Sequence, residues 1–208
     1  MLILTLRLQN NYLCRDNTNS QIMTRYLLFA LILTAFAACK DDVIDYDYDP
    51  GRLHYDGVND RAPNLPIGTN EAAAMFPSEV LDLYENAEIS AVQLYIYEVP
   101  QNATLIFYSG GNGNSPGGVL IEKEITNQLS PNSWNTIDLD EAFPIPGSGS
   151  LWISLKVTDQ EVKQVIGCDA GPSKSGGDWL YQSDDGEWRT FQSRSTDSIN
   201  WNIRAVVL

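Results

Sequence analysis

The chain has 208 residues, of which 43% are hydrophobic, 10% aromatic and 19% charged, and its formal net charge is -14. That length suits one domain with accessory segments, and the composition is too apolar for general disorder and too interrupted for a polytopic membrane protein. The acidity excludes nucleic acid as an expected partner, because a phosphate backbone is bound by clustered Lys and Arg.

From Met23 the chain runs through Arg25, an apolar stretch from Tyr26 to Phe36, the small residues Ala37 and Ala38, and then Cys39. The stretch is shorter than the roughly 20 residues a permanent membrane helix needs. This is the order of a signal peptide, so residues 1–38 are expected to be removed, residues 1–22 being a spurious extension ahead of an initiator at Met23. Phe36-Ala37-Ala38-Cys39 resembles the lipobox of bacterial lipoproteins, which implies a lipid on Cys39 and attachment to a membrane. Lys40-Asp41-Asp42 resembles the surface-export signal of lipoproteins in one Gram-negative phylum, which implies the outer membrane and its outer face. Cleavage removes Arg7, Arg15, Arg25 and Asp16, so ten basic against 26 acidic residues remain, a net charge of -16. Only Cys168 then survives as a thiol, and no internal disulfide is expected.

Residues 39–70 alternate Asp, Tyr, Gly, Pro and Asn without period, as in Asp45-Tyr46-Asp47-Tyr48-Asp49-Pro50, and read as a lipidated acidic tether. From residue 71 to residue 208, short apolar runs recur every eight to twelve residues between turn-forming clusters, the rhythm of an all-β antiparallel β-sandwich. Val92, Leu94 and Ile96 alternate with polar or amphipathic residues, and Leu151, Ile153, Leu155 and Val157 alternate with Trp152, Ser154 and Lys156, which gives each strand one buried face. Further strands are expected over 104–108, 118–125, 135–139, 178–182, 187–191 and 201–207. A short helix is expected over 77–85, capped by Ser78. The glycine- and asparagine-rich run 109–118 has no P-loop lysine and no following helix pattern, so it reads as a hairpin connection.

In the last third, Gly167-Cys168-Asp169-Ala170-Gly171-Pro172, Gly177-Asp178-Trp179, Asp185-Gly186-Glu187-Trp188 and Asn200-Trp201-Asn202-Ile203-Arg204 carry a more specific likeness. They resemble the adhesin-type jelly-roll modules, galactose-binding-like in fold, of gingipain-like and related secreted proteins. The resemblance implies a jelly-roll sandwich, often with structural calcium, and identifies a scaffold used for many ligands.

His54 is the only histidine, which removes Ser-His-Asp and multi-histidine zinc sites. Cys168, beside Asp169, reads as a small buried hydrophobe. Asp184 and Asp185 before Gly186, with Asp169 and Asp178, are the candidate calcium ligands, since hard cations prefer several oxygens at a bend. The plain hairpin turn is the alternative. Trp152 points away from the core set of its own strand and, with Trp179 and Trp188, is a candidate platform for a sugar ring. The expectation is a non-enzymatic, adhesin-like surface module for a glycan or protein ligand. The alternatives are a structural or accessory subunit of an envelope complex and a glycosidase with paired carboxylates.

Overall fold

The computed structural model describes residues 46–208, so the expected signal peptide, Cys39 and Lys40-Asp41-Asp42 lie outside the described residues. Two antiparallel sheets make up this part of the chain. Four strands form one, in the order β1 (Arg52–His54), β10 (Ile203–Val207), β3 (Glu88–Ile96) and β6 (Ser133–Pro144). Six form the other, in the order β5 (Val119–Glu124), β4 (Asn102–Ser109), β7 (Leu151–Asp159), β2 (Gly68–Phe76), β8 (Trp179–Gln182) and β9 (Glu187–Thr190). The chain changes sheet between β1 and β2, β2 and β3, β3 and β4, β5 and β6, β6 and β7, and β9 and β10. Successive strands therefore wrap around a shared interior, which makes the fold the all-β sandwich of jelly-roll type that the sequence predicts.

Alternation explains the interior. Leu151, Ile153, Leu155 and Val157 of β7 face Val92, Leu94 and Ile96 of β3 and Ile203 and Ala205 of β10 across it. Each large side chain so buried stabilises the fold by about 1.5–3 kcal/mol. Tyr55 stacks on Phe76 with ring centroids 4.9 Å apart, and Phe107 meets Phe143 edge to face at 5.3 Å. The expected helix is a single turn, α1 (Ser78–Leu81), running on into a 3-10 turn over Asp82–Tyr84. Pro77 occupies the N-cap and no side chain caps it, so Ser78 is the first helical residue instead of the cap. A second short helix, α2 (Phe191–Arg194), is capped by Thr190, whose hydroxyl accepts the Ser193 N–H.

Two parts of the sequence reading are corrected. The expected tether through residue 70 is folded into the domain from β1 onward. β1 pairs with β10 in the register Arg52↔Val206, Leu53↔Ala205, His54↔Arg204, and Leu53, Tyr55, Ala62 and Leu65 are buried. β1 has only three residues, and the chain beyond it is held by the single bridges Arg61↔Cys168 and Leu65↔Lys163, too short a pairing to leave a period in the sequence. The other correction is β2, whose Glu71-Ala72-Ala73-Ala74 centre lacks the branched and aromatic residues that mark strands. It is nonetheless a central strand, paired along its whole length with β7 and over four residues with β8.

Candidate functional site

The outward face of the six-stranded sheet carries an aromatic layer separate from the sandwich interior. With Leu151, Ile153 and Leu155 turned inward, the pleat turns Trp152, Ser154 and Lys156 outward. Register then sets Met75 and Tyr108 on either side of Trp152, Ala73 and Ile106 beside Ser154, and Glu71 beside Lys156. β8 and β9 extend the face with Trp179 opposite Ala73, Tyr181 opposite Glu71, and Trp188 opposite Tyr181. The Trp152 ring lies 5.0 Å from that of Trp179 and 5.5 Å from that of Trp188, the latter edge to face at 69°. Tyr181 and Trp188 are 5.8 Å apart.

The structure thus brings together the three tryptophans singled out in the sequence, but in unequal roles. Trp152 is 0% exposed, so it is the floor of the layer and not the ligand contact its outward direction suggested. Trp179 and Trp188 are half-buried and cover it, and Tyr108 and Tyr181 are half-buried at its margins. Ala73 and Ser154 leave room for the indoles by being small. The indole N–H groups of Trp152 and Trp179 have no hydrogen-bond acceptor among the described residues.

A polar group adjoins these rings. Glu71 is buried, and its Oε1 accepts hydrogen bonds from the Tyr108 hydroxyl at 2.8 Å and the Ser154 hydroxyl at 2.5 Å. Burial raises the Glu71 pKa above the usual carboxylate value, and these two bonds with the nearby Lys156 charge offset only part of that rise. Burial, then the Glu71 charge, also pushes the Tyr108 hydroxyl well above its ordinary value. Rings that present apolar faces beside half-buried phenols suit a ligand with C–H faces and hydroxyl edges. Glu71, Tyr108 and Tyr181 were missed in the sequence. Tyr181 was the most accessible, because it and Trp188 flank the Asp-Asp-Gly turn at matching positions of a hairpin.

The carboxyl-terminal motif residues build the scaffold. Asp169 Oδ1 accepts the backbone N–H groups of Gly171 at 2.9 Å and Asn200 at 2.7 Å, while its Oδ2 accepts the Gly57 N–H and the Asn200 side-chain amide, both at 2.9 Å. Asp178 accepts the Gln192 N–H at 3.0 Å, and burial raises its carboxyl pKa. The Trp201 indole donates to the Trp179 carbonyl at 2.9 Å. Asp184 and Asp185 form the turn between β8 and β9, where Gly186 takes a φ of 68° that favours glycine, and Asp185 is ion-paired with Arg194 at 2.7 Å. The expected calcium ligands Asp169, Asp178, Asp184 and Asp185 are therefore not assembled. Two are engaged by buried backbone and amide donors and two lie on a hairpin. Among the described residues no three His, Cys, Asp or Glu side chains form a group that could hold a metal ion.

Cys168 is buried, and desolvation pushes its thiol up to about 12, which disfavours the thiolate a nucleophile requires. His54 turns Nδ1 toward the Asp56 carboxylate at 3.0 Å and the Asp56 carbonyl at 2.9 Å. Trp134 lies beneath the Arg204 guanidinium, 4.2 Å from its ring centroid, and Trp201 belongs to the interior.

No protein-family model and no curated protein matches the sequence. Solved structures similar to it include the clostridial cysteine protease Cwp84 after propeptide cleavage, with a TM-score of 0.53 and 12% identity, covering 78% of this chain and 41% of that one. Another is the structure of the cysteine protease and lectin-like domains of Cwp84, a surface layer associated protein of Clostridium difficile, with a TM-score of 0.48 and 12% identity, covering 67% of this chain and 32% of that one. The chain spans less than half the length of either, and what it shares with the first is its fold, at a sequence identity of only 12%.

Proposed function

We propose that the chain is a non-enzymatic binding module, anchored through a lipid on Cys39 and displayed on the outer membrane surface, that holds a glycan on the outward face of its six-stranded sheet. The observation that carries this reading is the half-buried aromatic layer of Trp179, Trp188, Tyr181 and Tyr108 around the Trp152 floor, outside the sandwich interior. A solvated sheet face is ordinarily polar, and keeping aromatic area in water costs about 25 cal/mol per Å² unless something covers it. A pyranose ring stacked on Trp179 or Trp188 covers that area, and the half-buried Tyr108, held by the buried Glu71 beneath it, supplies a polar edge for its hydroxyls. The lipidation and surface display are supported by Phe36-Ala37-Ala38-Cys39 and Lys40-Asp41-Asp42.

The test is a glycan-array screen of the protein beside its Trp188→Ala and Trp179→Ala variants, each with and without a calcium chelator. The expected result is a saccharide signal that survives chelation and is lost in both variants. Silence across the array from a folded protein, or a signal indifferent to both substitutions, would move the assignment to an accessory subunit of an envelope complex, to be sought by pull-down.

A further inference from the structure

A second surface lies where each sheet ends, at the β5 margin of the six-stranded sheet, with Glu122 opposite Ile106 at the border of the aromatic face. β5 is the outermost strand of the six-stranded sheet and β6 the outermost strand of the four-stranded one, and a groove of about 490 Å³ runs between them. Consecutive residues of each strand line it, 120–123 from β5 and 139–144 from β6. Since side chains alternate across a strand, an unbroken run at the wall means that the strand edges themselves border the groove. Its apolar lining comes from Leu120, Ile121, Leu139 and Phe143, and on β5 Val119 and Leu120 are 55% and 46% exposed.

Charge decides what such an edge admits. The lining carries Glu122, Asp140 and Glu141 against Lys123, a net of -2, and Lys123 is already engaged, donating to the Asp138 carbonyl at 3.0 Å and paired with the Asp140 carboxylate. Unpaired strand edges recruit further strands unless something prevents it. Here acidic residues on an acidic chain repel a second copy of the same molecule, while leaving the edge open to a strand of opposite charge.

We propose that this groove is a docking site for an extended basic segment of a partner protein, alternating apolar and Lys or Arg residues, which adds to β5 as a seventh strand. The segment's main chain pairs with the free edge of β5. Its apolar side chains enter the groove toward Leu139 and Phe143, and its cations meet Glu122 and Glu141, Asp140 being held by Lys123. The two surfaces have no lining residue in common and meet only at Glu122, whose charge reaches Glu71 and Tyr108.

The experiment is fluorescence anisotropy of the full chain titrated with a labelled nonapeptide of alternating lysine and valine. Three comparisons accompany it: a peptide of the same composition in scrambled order, the alternating peptide N-methylated on one edge, and a Glu122→Lys/Glu141→Lys protein whose unchanged melting curve shows that it is folded. The expected result is saturable binding of the alternating peptide, loss on N-methylation, and weakening by about tenfold or more in the charge-reversed protein. Equal binding of the scrambled or N-methylated peptide would reduce the interaction to unspecific charge attraction and overturn the proposal, as would no binding at all or undiminished binding by the charge-reversed protein.

Discussion

Arg204 clasps Asp56 in a largely buried ion pair: its Nε reaches both carboxylate oxygens at 3.0 Å and its Nη2 reaches Oδ2 at 2.9 Å. Asn202 donates to the same carboxylate at 2.6 Å, and His54 faces it from the other side. Removing the cation leaves a carboxylate that is 3% exposed without its main partner. Arg204→Met is expected to cost about 3–5 kcal/mol in chemical denaturation, and Asp56→Leu/Arg204→Met markedly less than the single change, because no charge is then stranded. A loss below about 1 kcal/mol in the single variant would show that the pair is dispensable.

Glu71 gives stability a pH dependence of definite sign. Its folded-state pKa is raised by burial, so its ionisation is easier in the unfolded chain. Below the unfolded value both states are protonated and there is no penalty. As pH rises through the folded value, the buried carboxyl must ionise and stability falls. Glu71→Gln removes that penalty, and its amide oxygen still accepts from Tyr108 and Ser154. The variant is expected to be more stable than the parent at pH 7, with the difference vanishing once the pH falls below the ordinary carboxylate range, as read from melting curves across pH. An unchanged difference at both pH values would show that Glu71 does not titrate with folding.

The floor and cover of the aromatic layer separate stability from binding. Trp152→Ala empties a fully buried volume and is expected to cost about 3–5 kcal/mol. Trp188 is half-buried at the outermost strand β9, so Trp188→Ala is expected to cost about 1 kcal/mol while abolishing the glycan signal. Denaturation curves and array binding of both proteins check this, and equal destabilisation by the two would make the layer a second core.

Cys168 is expected to be chemically silent while the protein is folded. Its thiol is buried and its pKa pushed up to about 12, so in a Cys14→Ser/Cys39→Ser background an aromatic disulfide reagent at pH 8 should label it only after denaturation, in proportion to the unfolded fraction. Rapid labelling of the native protein would contradict this burial.

The legible parts of the fold are those where information is local. β7 announces itself by alternation, and the same alternation correctly turns Trp152 out of the interior. Its burial is not legible, because its cover comes from Trp179 and Trp188, brought over it by strand pairings that only the folded register defines. Asp169 shows the same limit from the other side. An aspartate in a glycine-containing turn looks like a cation ligand, but besides the nearby Gly171 its donors are on Gly57 and Asn200, 112 and 31 residues away in sequence. β2 was hidden because small side chains serve its position: Ala72 and Ala74 face the interior, and Ala73 lies beneath the indoles.

The pairing of β1 with β10 has a mechanical consequence. Tension entering the domain along the chain from its amino-terminal side meets β1 first, and a pull along that strand loads its hydrogen bonds to β10 together, in shear, instead of opening them one by one. Two residues further on, Asp56 is hooked to Arg204 on β10 itself, so a slipping strand must also break a buried ion pair. Both catches belong to the four-stranded sheet, whereas the aromatic face belongs to the other. On the proposed reading, a pull on a glycan held by the aromatic face would load the clasp at the entrance of the fold, in the sheet that does not carry that face.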